Sequence, residues 1–112
     1  MKHGSIYKRG CSCCTFPFSD LSNSIKRPAL VLANLQGDDL ILAQITSQTI
    51  FDSYSISVES DDFSTGKLKM KSNIRPNKIF TAEKDIILYK IGSLEDEKID
   101  AVIEKIIEIF AK

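Results

Sequence analysis

Arg27 and Thr46 are the residues in this chain best placed for phosphate chemistry. Arg27 lies in IKRPALVLAN, residues 25–34, directly before Pro28 and a continuous apolar run. Its guanidinium carries five donors in a planar fork, stays charged and matches two oxygens of one phosphate. Pro28 fixes its own φ and pushes Arg27 toward extended backbone, so the fork sits on a stiff mount. Thr46 comes from a second stretch. Apolar runs at 29–33 and 40–45 flank the turn signal QGDD at 36–39, which reads as a hairpin. The start of its first strand then lies opposite the end of its second, within a few residues of Thr46.

A second group of charges lies further on. Lys67, Lys69 and Lys71 alternate with Leu68 and Met70, a period that predicts a strand with one basic face. Between Ser64 and Phe80 there are five basic residues and no acidic one. The stripe reads either as a landing surface for a polyanion or as an edge strand kept from aggregating by its lysines. Cys11, Cys13 and Cys14 fit neither a disulfide framework nor a CxxC metal half-site, so they read as reduced thiols, and His3 reads as a solvated side chain. No metal or cofactor is expected, because the chain carries no G-x-x-x-x-G-K, H-E-x-x-H or G-x-S-x-G.

The elements that must hold these residues fit one domain, residues 1–112. With 112 residues, 43% of them hydrophobic, the chain supports one core, and its zero net charge leaves any basic function to local clusters. It has no apolar run of about 18 residues and no signal-like core in its first ten, so a cytoplasmic protein is expected. Residues 16–24 end an extended segment and enter a polar turn, and residues 54–59 alternate as a half-exposed strand. Residues 72–77 read as a short helical turn, and 85–91 as a last, mostly buried strand that Gly92 breaks. A helix is expected from Ser93, with Glu95, Asp96 and Glu97 favourable in its first turn. Leu94, Ile99, Val102, Ile103, Ile106, Ile107 and Phe110 form a wide apolar face, taken up by the sheet alone or shared with a partner subunit. Short antiparallel strands followed by a C-terminal helix define a mainly β fold that most readily closes into a small barrel.

FPFSDLSNSIKRPALVLAN, then AQITSQ, then GKLKMKSNIRPNKIFT and KIGSL before the last helix together resemble the MazF/PemK family of type II toxin endoribonucleases, from about Phe16 to the C-terminus. The resemblance implies an SH3-like antiparallel β-barrel of the CcdB/PemK kind, a homodimer that cuts single-stranded RNA without a metal and is held inactive by a cognate antitoxin. It implies Arg27 and Thr46 as the catalytic pair. It also implies RNA contacts from Phe18, Ser19 and Asp20 in the first loop, from Ser47 and Gln48 beside Thr46, and from Lys69, Ser72, Arg75 and Asn77 in the later segment. The chain departs from the family where KRGCSCCT replaces an apolar run, so the first strand is expected to be atypical or degraded. The alternative is a barrel that binds RNA or protein without cutting. The gyrase-poisoning CcdB toxins fit less well, because the chain ends in IFAK without the residues their action needs.

Overall fold

The apolar run after Pro28 forms the middle of β2 (Ser24–Asn34), and the second run forms β3 (Asp39–Thr46), in a computed structural model that describes residues 13–19 and 24–111. These strands are covered on both faces. Leu30 and Leu32 join one cluster with Ala43, Ile45 and Ile74, while Ala29 and Val31 join another with Leu40 and Leu42. A strand buried on two sides gains nothing from polar alternation, which accounts for the unbroken run. Between them the chain reverses through Gly37 at φ 76°, and the Leu35 N–H donates to the Asp39 carbonyl at 2.9 Å.

The other strands are β1 (Cys13–Ser19), β4 (Ile56–Val58), β5 (Phe63–Gly66), β6 (Ser72–Glu83) and β7 (Tyr89–Leu94), followed by the helix α1 (Asp96–Ala111). Every pairing is antiparallel, and the sheet runs β4-β6-β3-β2-β1-β7-β5. Its two edges, β4 and β5, are consecutive in the chain. The segment from Val58 to Phe63 can span at most about 18 Å, so the sheet curls until its edges come near each other. No ladder crosses that seam among the described residues, and the expected barrel is present as a curled sheet that does not close.

The helix lays Ile99 and Val102 on the inner cluster beside Val58, Phe63 and Leu94. Its first turn is fastened to the seam. Lys98 Nζ donates to the Ser57 carbonyl at 2.8 Å and lies 3.5 Å from Asp62 Oδ1, and the Glu95 N–H donates to the Asp62 carbonyl at 2.8 Å.

Three expectations change. Residues 67–71 form a loop, not a basic strand, because β5 ends at Gly66. There φ is 75°, and a Cβ would run into the Ile91 carbonyl and Gly92 Cα, so β5 and β7 cross at a pair of glycines. Residues 72–77 are β strand, and Pro76 is absorbed in an irregular stretch between the Arg75 and Ile79 rungs, where a missing N–H is tolerated. Residues 84–86 form a 3-10 turn, and the last strand runs from Tyr89 through Gly92, with α1 beginning at Asp96. β1 is strand from Cys13 and pairs along its length with β2, and through Cys13, Cys14 and Thr15 with β7, with a register shift after Cys13; the rest of the atypical stretch, residues 8–12, lies outside the described residues. The expectations for His3, Cys11 and Asp20 lie outside the described residues.

Candidate nucleic-acid cleft

Leu30 faces Ala43 and Ala29 faces Gln44, and there the β2–β3 ladder stops. Pro28 has no N–H to lend to another rung. Two residues further along each strand come Arg27 on β2 and Thr46 on β3, beyond the last rung. Past this point the strands part: β2 stays with β1, where Arg27 faces Phe16, and β3 stays with β6, where Thr46 faces Asn73.

A cleft of about 560 Å³ opens in this fork, and both Arg27 and Thr46 line it. Lys26, Lys67, Lys69 and Lys90 line it too, with the hydroxyls of Thr15, Ser47 and Ser72. Among the described residues, five cations and no carboxylate therefore line one cavity, in a chain of zero net charge. Such a surface attracts polyanions strongly and cations not at all. The lysines come from three places: the start of β2, the loop after Gly66, and β7 beside the glycine crossing. That crossing turns the 67–71 loop toward Arg27, and the sequence gives no sign of it.

Thr46 is positioned by its own loop. The Gln48 N–H donates to Thr46 Oγ1 at 3.1 Å, which leaves the hydroxyl hydrogen free to donate. The Gln48 carbonyl in turn accepts from Asn73 Nδ2 at 3.0 Å. Asp52 ties the far side of the loop down: it accepts from the Tyr54 and Ser55 N–H groups at 2.9 Å each, and lies 3.3 Å from Arg75 Nη2. The Tyr54 N–H, then the Ser55 N–H and the Arg75 guanidinium, hold its carboxyl below the usual Asp value against the opposing effect of partial burial.

The structure thus brings together Arg27, Thr46, Ser47, Lys69 and Ser72. The Ser72 hydroxyl is buried and donates to the Met70 carbonyl at 2.9 Å. Arg75 points instead to Asp52, and Asn77 is an exposed residue of the irregular stretch of β6; neither lines the cleft. Gln48 serves the site through its backbone, and Phe18 and Ser19 stand in β1 opposite Ile25 and Ser24. Lys71 lies 4.0 Å from Glu59, away from the lining. Sequence reasoning missed Lys26, Lys67, Lys90 and Tyr89 as members of the site; for Lys26, adjacency to Arg27 was the available signal. Among the described residues, no three His, Cys, Asp or Glu side chains are grouped as metal ligands would be, and no helix is long and apolar enough to cross a membrane.

The architecture is that of a small, mainly β domain, a curled antiparallel sheet followed by a C-terminal helix, with Arg27 and Thr46 in one cationic cleft. The chain belongs to the PemK-like, MazF-like toxins of type II toxin-antitoxin systems, whose family model matches residues 14–110. Among curated proteins no sequence matches it. Solved structures share its fold at low identity. A MazE-MazF crystal structure from Deinococcus radiodurans superposes with a TM-score of 0.74 at 13% identity, covering 93% of this chain and 95% of that one. The Mycobacterium tuberculosis toxin MazF-mt6 gives 0.71 at 17%, covering 89% and 96%. An endoribonuclease in complex with its cognate antitoxin from a mycobacterial species gives 0.72 at 14%, covering 93% and 94%.

Proposed function

We propose that the protein is the toxin of a type II toxin–antitoxin pair and acts in the cytoplasm as an endoribonuclease on single-stranded RNA, without a metal ion. The 2′-oxygen of a ribose attacks the adjacent phosphorus as its proton leaves, and the bond from phosphorus to O5′ breaks as that oxygen takes up a proton. The products are a 2′,3′-cyclic phosphate and a 5′-hydroxyl. The five-coordinate phosphorus of the transition state carries extra negative charge. Arg27 meets that charge with two parallel N–H donors, and Thr46 adds its hydroxyl from the other side of the fork. Removing one such donor raises the barrier by about 3 to 4 kcal/mol. Lys26, Lys67, Lys69 and Lys90 hold the neighbouring phosphates.

The observation that carries this reading is the convergence of Arg27 and Thr46 from two diverging strands into one cleft that, among the described residues, is lined by cations and by no carboxylate. Family membership and the antitoxin complexes among similar structures support the biological setting. An acidic or amphipathic antitoxin segment would cover the same groove, and the exposed Ile107 and Phe110 of α1 are the surface offered to a second copy in a homodimer.

The test is incubation of a long RNA with purified protein in EDTA, followed by end-group analysis. New 5′-hydroxyl ends are expected, with the rate reduced by about 10² to 10³ in Arg27→Ala and in Thr46→Ala. Intact RNA from the wild type would leave only a binding barrel, and equal cleavage rates in Arg27→Ala and the wild type would remove Arg27 from the catalytic pair.

A further inference from the structure

Cations explain how the cleft would hold a backbone, but they do not account for the bases. Tyr89 is the one aromatic side chain among the described residues that line the cleft, and it is 55% exposed. Met70, also in the lining, is 62% exposed. Both present apolar surface to water inside a cleft whose lining is rich in lysines. They come from separate elements, Tyr89 from the start of β7 and Met70 from the loop after Gly66, and they meet the cleft beside Lys90 and Lys69.

Tyr89 is also rigidly mounted. Its backbone pairs with Thr15 of β1, the Leu88 N–H donates to the Thr15 carbonyl at 2.8 Å, and Thr15 pairs in turn with Pro28, next to Arg27. Two strand spacings, roughly 10 Å, separate the Tyr89 backbone from that of Pro28. A base adjoining the phosphate held at Arg27 falls within reach of the ring.

We propose that Tyr89, flanked by Met70, is a stacking platform for an unpaired base next to the scissile phosphate, so that it helps to select single strands and sets the register of cleavage. The inference rests on the ribonuclease reading of the cleft. Stacking on an aromatic face requires an unstacked base and tolerates any base identity, and a neighbouring lysine adds a cation to the same pocket. Duplex RNA, whose bases already stack on each other, cannot use it.

Equilibrium binding of a 2′-O-methyl oligonucleotide, which cannot be cut, tests the idea in the full chain. Tyr89→Phe is expected to bind like the wild type, and Tyr89→Ala about tenfold more weakly, with the salt dependence unchanged and the same melting temperature. One abasic position in the oligonucleotide should weaken the wild type by a similar factor and leave Tyr89→Ala unaffected. Equal affinity of Tyr89→Ala and the wild type, or losses that add in the abasic scan, would overturn the platform, whatever the variant does to binding of a protein partner. A wild type that neither binds nor cuts RNA would instead overturn the ribonuclease reading on which the platform rests.

Discussion

If the cleft grips an RNA backbone, its affinity must depend on salt with a steepness set by the number of phosphates it neutralises. Among the described residues, five cations line it. For a single strand the slope of log K against log salt is about −0.7 per neutralised phosphate, so the full set gives about −3.5. Between 50 and 200 mM salt this corresponds to a loss of about 100-fold in affinity. Removing one cation, as in Lys69→Ala or Lys90→Ala, should flatten the slope to about −2.8 and the loss to about 50-fold. Lys71 is the internal control: it stands outside the lining and 4.0 Å from Glu59, so Lys71→Ala should keep the wild-type slope. Fluorescence anisotropy of a labelled, uncleavable oligonucleotide across a salt series measures all three. A wild-type slope shallower than about −1, or a Lys71→Ala slope as flat as that of Lys69→Ala, refutes the assignment of these cations to the backbone.

Two further outcomes follow from the scaffold. Gly66→Ala should destabilise the fold by more than the roughly 1–2 kcal/mol of left-handed backbone alone, because its Cβ meets the Ile91 carbonyl, whereas Gly37→Ala, at a similar φ with open space around it, should cost only the conformational part; denaturant unfolding of both separates the two effects. Asp52 has a lowered carboxyl pKa in the fold, so the stability it gives loop 47–55 is present at neutral pH and is lost as pH falls through that lowered value, below the usual Asp range. Hydrogen exchange at the Tyr54 and Ser55 amides should accelerate, relative to intrinsic rates, over that acid range, and Asp52→Asn should remove the transition.

How much could be read in advance depended on whether a feature was local. The strands around Leu30 and Leu42 showed as apolar runs because burial on both faces imposes that composition, and the meeting of Arg27 with Thr46 followed from hairpin geometry. The lysine alternation at 67–71 imitated a strand. What ends the strand is a contact between Gly66 and Gly92, two residues far apart in sequence, and such a crossing leaves no periodic trace. Residues 72–77 read as a helical turn for a similar reason: the strand shows only once a partner with room for an irregular stretch around Pro76 is known. Arg75 and Lys69 look alike in sequence as exposed cations. Only the position of Asp52 sends one to a loop staple and leaves the other in the cleft.

The unpaired seam between β4 and β5 gives the lysine loop a mechanical meaning. Residues 67–71 run from β5, on one side of the gap, to β6, which lies beside β4 on the other. The loop is therefore a strap across the opening, as the segment carrying Asp62 is. A polyanion held by Lys67 and Lys69 on the strap and by Lys26 and Arg27 on β2 would act as a suture. It would draw the curled sheet shut, so that the ligand completes the cylinder that backbone hydrogen bonds leave unfinished.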